Sequence, residues 1–477
     1  YYEQRLLNEQ IAQLTGRRYL DGYSNDEAQF KALMDSGISA ARTMHLTPGV
    51  ALTAEQVARL TSDIVWLVEQ NVTLPDGSMR QALVPQVYVR VQAGDIDGNG
   101  ALLSGSITEL NVAGTLNNSG TVAGREALRI GADTVDNSSG RISSNKLIVD
   151  AKQDINNTGG MIDAANSLLL QAGRDINHTS TTHSSENSQG SVTNLNRIAG
   201  VYITGPENGA LVLAAGRDVR LTAAAIGNMS ADGQTTIQAN RDLKLDTVST
   251  ARHQENHLDA NNHIIRANSA DVGSNIQTRG QLTMLAGNNI ETISANVGSQ
   301  NTLKVAAGND ILIGAGQQSL LIDDASKHTG RTGGGRKQVN ISNIRITENT
   351  AQGSSFNAND VQMAAGNNLH ITGSNVLAQQ SNRISAGNNI TIEAAGNQHS
   401  QHRYDEEKRS GLTGSLKDGV ASVGYSKSSH SLQQDSSGQS LTLSQVGSIN
   451  GDTTIVAANR LTATAARLGA GQDLTLQ

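Results

Sequence analysis

The stretch Gln171-Ala172-Gly173-Arg174-Asp175-Ile176 decides the fold, because it returns many times along the chain. Its clearest copies are Ala215-Gly216-Arg217-Asp218-Val219, Ala286-Gly287-Asn288-Asn289-Ile290, Ala307-Gly308-Asn309-Asp310-Ile311 and Ala365-Gly366-Asn367-Asn368-Leu369. An apolar residue stands three positions before and three positions after the centre of nearly every copy, so each copy predicts a strand, a tight turn and a strand. Glycine or asparagine at the centre predicts a backbone with positive φ.

A second set of turns gives the period of the repeat. The sequences Asn117-Asn118-Ser119-Gly120, Asn137-Ser138-Ser139-Gly140 and Asn157-Thr158-Gly159-Gly160 follow one another at intervals of 20 residues. A period near 20 is typical of a parallel β-helix or a leucine-rich solenoid, and the leucine frame and helical segment of the latter are missing. We therefore predict an all-β, right-handed parallel β-helix with rungs of about 20 residues, in which asparagines at one turn position bond to their copies in the next rung.

The composition excludes several classes of protein. The 477 residues include no cysteine, so no disulfide or thiolate metal site is possible. Aromatic residues make up 2% of the chain, so the core has to be built from stacked aliphatic side chains. A net charge of −7 gives no electrostatic footprint for nucleic acid, and no apolar run approaches the roughly 20 residues of a membrane helix.

Residues 1–90 differ from the rest and predict a small helical cap over the open end of the β-helix, with a hinge or docking module as the alternative. Apolar residues at helical spacing predict helices from Tyr2 to Leu14 and from Asp26 to Met34. A capping box at Thr53 predicts a third helix as far as Val68. A strand is expected from 83 to 91, and Pro85 within it is tolerable only at a sheet edge or at the first rung.

The regular β-helix is expected to occupy residues 91–177, and residues 178–477 are expected to continue it with long excursions. The excursions are rich in Ser, His, Gln, Asn and charge, and they cover residues 178–208, 250–279, 317–358 and 397–446. Alternating apolar residues on some return limbs predict long antiparallel hairpins that protrude from the stack. Insertions of this kind usually lie on one face, which is often the binding face.

Two stretches resemble ligand loops only superficially. Gly333-Gly334-Gly335-Arg336-Lys337 lacks the frame of a phosphate-binding loop and the strand-to-helix context around it. The segment 95–100, Asp-Ile-Asp-Gly-Asn-Gly, has the composition of a calcium loop, but Ser106 stands where an EF-hand needs Glu. Nucleotide binding is therefore not expected at the first stretch, and a turn at the first rungs is the expected role of the second.

The histidines and the repeated aspartates also have structural explanations. His253 with His257, and His399 with His402, have zinc-like spacing but no convincing third ligand. The aspartates of the signature occupy its turn, where they bond to the backbone, and do not form the carboxylate cluster of a β-helical lyase. We therefore predict no catalytic, cofactor-binding or metal-binding residues, no cofactor and no enzyme activity.

The repeats resemble those of filamentous haemagglutinins, which are exoproteins of two-partner secretion. The long insertions after residue 178 resemble the second class of haemagglutinin repeat. The N-terminal text is similar to the segment ahead of the distal repeats in contact-dependent growth inhibition effectors. The matching residues there are Tyr1-Tyr2-Glu3-Gln4-Arg5-Leu6, Thr15-Gly16-Arg17-Arg18, Leu52-Thr53-Ala54-Glu55-Gln56-Val57, Asp63-Ile64-Val65-Trp66 and Leu74-Pro75-Asp76-Gly77.

This resemblance implies a role in toxin delivery. Such effectors are exported through an outer-membrane transporter, stay at the bacterial cell surface, and carry a C-terminal toxin in the same chain. Their distal repeats associate with the outer membrane of the target cell and help the toxin to cross it. The chain is therefore expected to be a monomeric, non-enzymatic fragment of a longer protein, without secretion domain, receptor-binding region or toxin.

Two other functions stay open from the sequence. The chain could be an adhesin stalk whose hairpins bind a glycan or protein on a host or a neighbouring cell. It could also be a carbohydrate-active enzyme, because the β-helix hosts such enzymes, although a shared fold alone does not establish an activity.

Overall fold

The computed structural model describes most of the chain as two compact units. The residues described are 6–11, 20, 23, 25–52, 56, 60, 62–73, 79–88, 102–332, 335–417 and 419–477. The first unit comprises Tyr1–Thr181, Leu195–Lys244 and Asn275–Leu285. The second comprises Thr182–Asn194, Leu245–Ser274 and Ala286–Gln477. The predicted division of the chain after residues 90 and 177 stays a prediction.

The first unit begins with helical segments packed on a two-stranded sheet. Residues 6–11 are helical, and α1 (Asp26–Met44) starts at Asn25, whose side chain accepts the N–H of Ala28 at 2.8 Å. Strands β1 (Ile64–Thr73) and β2 (Met79–Tyr88) pair in antiparallel register. The cluster that joins these elements consists of Leu7, Ile11, Leu20, Leu33, Val65 and Val87.

Two helix predictions need correction here. The helix at Asp26 continues to Met44, ten residues beyond the predicted end at Met34. The third predicted helix does not reach Val68, because Ile64–Thr73 is a strand, although Gln56 near its start is helical. The β-branched and aromatic run from Ile64 favours a strand over the helical spacing that the same residues also satisfy. The capping box at Thr53 lies outside the described residues.

The expectation for Pro85 is confirmed. It lies opposite Leu67 in the β1–β2 pair, and both strands of a two-stranded sheet are edge strands. The side chain of Gln10 holds this segment by donating to the Pro85 carbonyl at 2.8 Å and accepting the N–H of Val87 at 2.8 Å.

Each rung of the repeat contributes a strand segment to each of three parallel sheets. One rung of the first unit consists of β13 (Gly200–Ile203), β14 (Ala210–Ala215) and β15 (Val219–Thr222). In the next rung, β16 (Ala225–Asn228) pairs in parallel with β13, and β17 (Gln234–Ala239) pairs in parallel with β14. Both units repeat this arrangement, so the predicted parallel β-helix is confirmed.

The remaining rung strands follow the same pattern in each unit. Those that begin in the first unit are β3 (Leu102–Asn111), β4 (Thr115–Asn118), β5 (Thr121–Ala132), β6 (Thr134–Ser138), β7 (Arg141–Ala151), β8 (Ile155–Thr158), β9 (Met161–Ala172), β10 (Ile176–Thr179), β18 (Leu243–Asp246), β21 (Asn275–Thr278) and β22 (Gln281–Ala286). Those of the second unit are β23 (Ile290–Ile293), β24 (Asn296–Ala307), β25 (Ile311–Gly314), β28 (Ser355–Ala365), β29 (Leu369–Thr372), β30 (Asn375–Ala378), β31 (Asn382–Ala386), β32 (Asn389–Glu393), β35 (Ser444–Ser448), β36 (Thr453–Ala457), β37 (Arg460–Thr464), β38 (Ala466–Gly469) and β39 (Leu474–Leu476).

Aliphatic ladders fill the interior of each unit. In the first unit, Leu168 and Leu170 of β9 lie in register with Leu211 and Leu213 of β14, and all four side chains are buried. The second unit repeats the arrangement between β24 and β28. Alternate residues of each strand point inward, so each rung buries its apolar residues against identical positions of its neighbours.

The aspartate of the signature links successive rungs. In the first unit, Asp175 accepts the N–H of Asp218 at 3.2 Å and the Nε–H of Arg217 at 2.7 Å. Asp218 in turn accepts from the Arg241 Nε–H at 2.8 Å. The sequence predicted turn residues that bond to the backbone, and the structure adds that the bonded amide belongs to the following rung.

The second unit has asparagine in place of the arginine, and in some copies also in place of the aspartate. Asp310 accepts the N–H of Asn368 and the side-chain amide of Asn367, both at 2.9 Å. Asn368 accepts the N–H of Asn389 at 3.3 Å and the side-chain amide of Asn388 at 3.1 Å. Asp–Arg, Asp–Asn and Asn–Asn pairs therefore all leave an oxygen that accepts the corresponding backbone N–H of the following rung.

The expectation of positive φ at the centre of the signature is wrong. The described centres, among them Gly216 and Gly366, are absent from the residues with positive φ. A Cβ on Gly216 would lie 2.2 Å from the carbonyl oxygen of Gly173, and one on Gly366 would lie 2.1 Å from that of Gly308. Glycine is favoured at this turn because adjacent rungs approach closely there.

The predicted asparagine ladder is confirmed. Asn118 donates to the side-chain oxygen of Asn137, and Asn137 donates to that of Asn157, both at 2.8 Å. Asn137 and Asn157 are fully buried. Each amide also donates to a carbonyl of its own turn, Gly140 or Gly160, at 3.0 Å, so the buried polar groups are satisfied.

A candidate interaction surface on the hairpin sheet

The excursions predicted as long antiparallel hairpins form one eight-stranded sheet, which we call the hairpin sheet. Its strands are β11 (Thr181–Asn187), β12 (Gly190–Arg197), β19 (Val248–Asp259), β20 (Asn262–Val272), β26 (Gly316–Arg331), β27 (Lys337–Gln352), β33 (Ala395–Lys417) and β34 (Val420–Thr442). The prediction of ordered hairpins is therefore confirmed, although the bounds differ. The last three hairpins begin one or two residues before the predicted excursions, and all four end before the excursions do.

The four hairpins lengthen along the chain. Their strands have 7 and 8, 12 and 11, 16 and 16, and 23 and 23 residues. Because Ser410 is the last residue of β33 that pairs with β27, the end of the fourth hairpin extends beyond its neighbour.

Two rungs of sequence separate each hairpin from the next. Between the third and the fourth hairpin, for example, the rungs are β28–β29 and β30–β32. Two rungs advance by about 9.6 Å along the stack, and the two strands of a hairpin occupy about the same width in a sheet. The spacing of the insertions therefore lets successive hairpins pair edge to edge.

The hairpin sheet is a single layer with both faces exposed. No residue of β27, β33 or β34 for which burial is described is fully buried, and β34 is exposed along nearly its whole length. Cross-strand hydrogen bonds hold such a sheet together without an apolar core. Both of its faces are consequently available for contacts with other molecules.

Polar side chains bridge neighbouring strands across the sheet. Arg266 bonds to Asp324 at 3.0 Å, and the hydroxyl of Ser342 donates to Asp405 at 2.6 Å. The Ser342 hydroxyl and the Arg403 guanidinium hold the pKa of Asp405 below its usual range. Exposed pairs of this kind contribute little stability each, so they mainly fix the register of the strands.

The end of the fourth hairpin presents an apolar face, which we call the apolar tip. The cross-strand pairs Leu412–Tyr425 and Leu416–Ala421 lie on this face, and so does Val423 between them. The exposed fractions are 68% for Leu412, 77% for Leu416, 76% for Val423 and 62% for Tyr425. A contiguous apolar surface this exposed is typical of a binding surface.

The opposite face of the same hairpin end is mostly hydroxylated. The hydroxyls of Ser415 and Ser422 bond to each other at 2.7 Å, and the hydroxyl of Thr413 donates to the Gly424 carbonyl at 3.3 Å. Leu412 to Tyr425 therefore form an amphipathic hairpin, with apolar and polar residues alternating along both strands.

Basic residues lie directly behind the apolar tip. The Lys427 ammonium is 5.9 Å from the centre of the Tyr425 ring, and Lys408 lies one pair further from the tip on the same face. Lysine and tyrosine next to exposed leucine and valine suit the boundary between an apolar layer and water.

A groove of about 490 Å³ lies between the second and third hairpins. The rings of His257 and His263 stack beside it, with centroids 5.6 Å apart. The residues that line the groove are Asn256, Leu258, Asn262, His263, Ile264, Asp324, Ala325, Ser326, Ser342 and Ile344.

The histidines weighed as zinc ligands have other partners. His253 and His257 flank Glu255 at 3.5 and 3.7 Å. His399 and His402 point to opposite faces of β33, where His399 contacts Glu348 and His402 contacts Asp435. Within the described ranges, no three His, Asp or Glu side chains converge on a metal-sized site.

Of the two stretches that resemble ligand loops, the structure describes part of the first and none of residues 95–100. Thr332 and Arg336 close the turn between β26 and β27, with the Thr332 N–H donating to the Arg336 carbonyl at 2.9 Å, and Gly335 has a φ of 78°. A hairpin turn has no helix N-terminus with which to bind phosphate. Residues 333–334 and 95–100 lie outside the described residues.

Sequence reasoning missed the apolar tip. Averaged over residues 397–446, the composition is polar, so the few aliphatic residues do not stand out as one face of a hairpin. The signal is present nevertheless, because Leu412, Leu416, Val423 and Tyr425 stand at even intervals on either side of an Asp-Gly pair that predicts a two-residue hairpin turn.

Part of the chain matches a known family of repeats. Residues 334–477 match the Hemagglutinin repeat family, so the β-helix is built at least in part from haemagglutinin repeats. Among the described residues, no helix is long and apolar enough to cross a membrane. No solved structure matches the chain.

Over its full length the chain is homologous to a segment of the CdiA contact-dependent inhibition proteins, as the resemblance predicted. It is 30% identical to the 16S rRNA endonuclease CdiA of Enterobacter cloacae and 26% identical to a tRNA nuclease CdiA of Escherichia coli. It is also 26% identical to Toxin CdiA of Yersinia pestis. In each comparison the alignment covers all of this chain and 16% of the relative.

Proposed function

We propose that this chain is the non-enzymatic repeat segment of a CdiA-type exoprotein and helps to deliver a C-terminal toxin across the outer membrane of a contacted bacterium. Homology along the full chain supports this proposal. The nuclease and toxin names belong to relatives of which the chain covers 16%, so the toxin in the same polypeptide is part of the proposal. Export through a two-partner transporter and retention at the cell surface are also part of it.

The apolar tip is the observation that carries the proposal. Four large side chains there are mostly in water, and transferring them to an apolar layer is favourable by on the order of 5 kcal/mol in total. That energy is enough to dock the hairpin at a membrane surface. The side chains lie at the end of the longest hairpin, so they can reach a surface before the shorter hairpins do.

The charges behind the apolar tip suit the target surface. Lys408 and Lys427 lie at the base of the tip, on its apolar face. The Lys427 ammonium would meet a phosphate group of an outer-membrane lipid while the leucines contact acyl chains, whereas Lys408 is paired with Glu406 at 2.8 Å. In this arrangement the tip docks on the membrane, and the rest of the hairpin sheet stays in water.

Vesicle flotation of the 477-residue chain tests the docking step. The wild type should float with vesicles that contain lipopolysaccharide, and the double variant Leu416→Ser/Val423→Ser should lose at least tenfold in binding. Leu432→Ser is the matched control, because Leu432 is an exposed leucine of β34 away from the tip. Equal binding by the tip variant and the control would show that the tip does not dock.

A cellular assay tests delivery itself. In a CdiA effector that carries this chain as its repeat segment, deletion of residues 178–477 should leave binding to target cells intact and abolish toxin uptake. The double tip variant should reproduce part of that loss. Uptake that persists after the deletion would contradict the proposed function.

The groove between the second and third hairpins favours an adhesin as a second candidate. It combines the exposed Leu258 and Ile264 with the polar groups of His263 and Asp324, a mixture suited to a sugar or a peptide. Specific binding of the isolated chain on a glycan array, lost in Leu258→Ser, would favour this function over delivery.

A further inference from the structure

The two faces of the hairpin sheet differ in charge beyond Ala325, where the second hairpin ends. Directly opposed residues of antiparallel strands share a face, so the register of β26, β27, β33 and β34 assigns each side chain to one face. Among the described residues here, the face of the apolar tip carries five cations and one carboxylate, which are Lys327, Arg331, Lys337, Lys408, Lys427 and Glu406. The opposite face carries two of each, Arg409, Lys417, Asp405 and Glu407.

Three of these cations stand in one row across the sheet, which we call the cation row. Arg331 of β26 lies opposite Lys337 of β27, Lys337 lies opposite Ser410 of β33, and Ser410 lies opposite Lys427 of β34. The side chains of Arg331, Lys337 and Lys427 are all exposed. Because adjacent strands are about 4.8 Å apart, the cation row is about 14 Å long.

No carboxylate of the described residues neutralises the cation row. The nearby carboxylates bond to other cations, in the pairs Arg403–Asp405, Lys408–Glu406 and Arg409–Glu407. Arg331 and Lys337 are moreover like charges directly opposite each other, an arrangement that destabilises an antiparallel pair. An anion bound between the two side chains would remove this repulsion.

The apolar tip decides which class of anion fits the cation row. The pair Leu412–Tyr425 is the next one on the same face, two residues or about 7 Å along the strands from Ser410 and Lys427. A soluble polyanion offers no partner to an exposed leucine, whereas a phosphorylated lipid offers phosphate to the cation row and acyl chains to the tip.

We propose that Arg331, Lys337 and Lys427 bind phosphate groups of a membrane lipid whose acyl chains the apolar tip contacts. The third hairpin then takes part in docking together with the fourth. Lys337 ends the stretch that resembles a phosphate-binding loop, and it binds phosphate through its side chain, not through backbone N–H groups. A strand added beside β34 would leave Arg331 and Lys337 exposed, because β26 and β27 lie inside the strand order of the sheet. The inference rests on the proposed docking of the apolar tip and adds the chemical group that the lipid must carry.

Flotation of the full chain with phosphatidylcholine vesicles that contain lipid A tests the cation row. Arg331→Gln/Lys337→Gln should weaken binding on the order of tenfold, because two cations no longer meet phosphate. With dephosphorylated lipid A in the vesicles, the wild type and this double variant should bind equally.

Two matched variants separate the cation row from net charge and from packing. Arg403→Gln/Arg409→Gln removes the same charge from the opposite face and should bind nearly as the wild type does. The exchange Arg331→Lys/Lys337→Arg keeps the charges of the row and should also bind as the wild type does. Circular dichroism of each variant should match that of the wild type, because all of these side chains are exposed.

The outcomes distinguish this inference from the docking of the tip. If Leu416→Ser/Val423→Ser loses binding and Arg331→Gln/Lys337→Gln does not, the cation row is overturned and the docking of the tip stands. Equal losses in Arg331→Gln/Lys337→Gln and Arg403→Gln/Arg409→Gln would also overturn the row, because net charge would explain both. A wild-type chain that binds soluble polyphosphate but does not float with the vesicles would overturn the row as a lipid site and the docking of the tip together.

Discussion

His178 lies directly opposite Asn157 in the parallel register of β10 on β8, and both side chains are fully buried. On its other side His178 meets Leu221 of β15, so the buried asparagine ladder ends at this ring. Neither ring nitrogen has a hydrogen-bond partner among the described residues. Burial lowers the pKa of His178 from 6.5 to about 3.

We predict that this histidine makes the first unit sensitive to acid. Between pH 6.5 and about pH 3 the His178 ring stays neutral in the folded chain. In the unfolded chain the same ring takes up a proton in this range. Stability is therefore present above pH 6.5 and falls as the pH decreases towards 3, by about 2 kcal/mol between pH 7 and pH 5. Denaturant unfolding at a series of pH values measures the slope.

The variant His178→Asn should flatten that slope. It continues the ladder with the residue type found at Asn157, and it does not titrate. The free energy of unfolding of the variant should change little between pH 7 and pH 5, where few carboxylates titrate. The same slope in both proteins would mean that another group is responsible.

The buried asparagines of the ladder should contribute more stability than the asparagines on the outer side of the same strands. In Asn157→Ala, the buried side-chain donor of Asn137 loses its acceptor and the Gly160 carbonyl loses a donor, which should cost about 2–3 kcal/mol. Asn156→Ala is the matched control, because Asn156 is the preceding residue, lies on the outer side of the same strand and bonds to Asp136 and Asn177 in a half-buried position. That change should cost less than about 1 kcal/mol. Hydrogen exchange of the β8 amides compares the two, and equal losses would contradict the ladder's role.

Phe356 allows a similar test of the second unit. Its side chain is fully buried between Val297 and Val376 of the adjacent rungs. Phe356→Ala should lower the free energy of unfolding by about 3–5 kcal/mol through the cavity it leaves. Leu312→Ala, at a partly exposed position of β25, should cost less than about 1.5 kcal/mol in the same urea titration.

The stack of rungs could be predicted because its cause repeats in the sequence. Each copy of the signature places apolar residues at the same offsets, and parallel rungs bury them against one another. The role of its glycines could not be predicted in the same way. A glycine such as Gly216 can serve a positive φ or a close approach, and only the distance to the neighbouring rung separates the two.

Local sequence patterns gave a wrong prediction where the same residues fit two kinds of structure. The run from Ile64 to Val68 fits one face of a helix and also a continuous strand, and its pairing with β2 decides between them. The apolar tip was missed for a different reason. Its alternation covers only the end of a long polar segment, so an average over residues 397–446 conceals it.

Asp218 and Asn368 each accept a bond from a side chain and from a backbone N–H of the following rung, one with a charge and one without. Burial alone would raise the pKa of Asp218, but the Arg241 guanidinium and the N–H of Asp242 outweigh it and hold the pKa below its usual range. Its stabilising effect is therefore present above about pH 4 and lost as the pH falls further. In the second unit, Asn368 and Asn388 make the corresponding bonds without charge.

We therefore predict that Asp218→Asn/Arg241→Asn folds with nearly wild-type stability at pH 7. Asp218→Ala should cost about 2–4 kcal/mol, because it leaves the Arg241 guanidinium and a backbone N–H without their acceptor. At pH 3 the double variant should be more stable than the wild type, since an amide cannot be neutralised by acid. Urea unfolding at both pH values compares the three proteins. A double variant as unstable as Asp218→Ala would show that the charge, and not the bond to the next rung, holds this corner of the repeat.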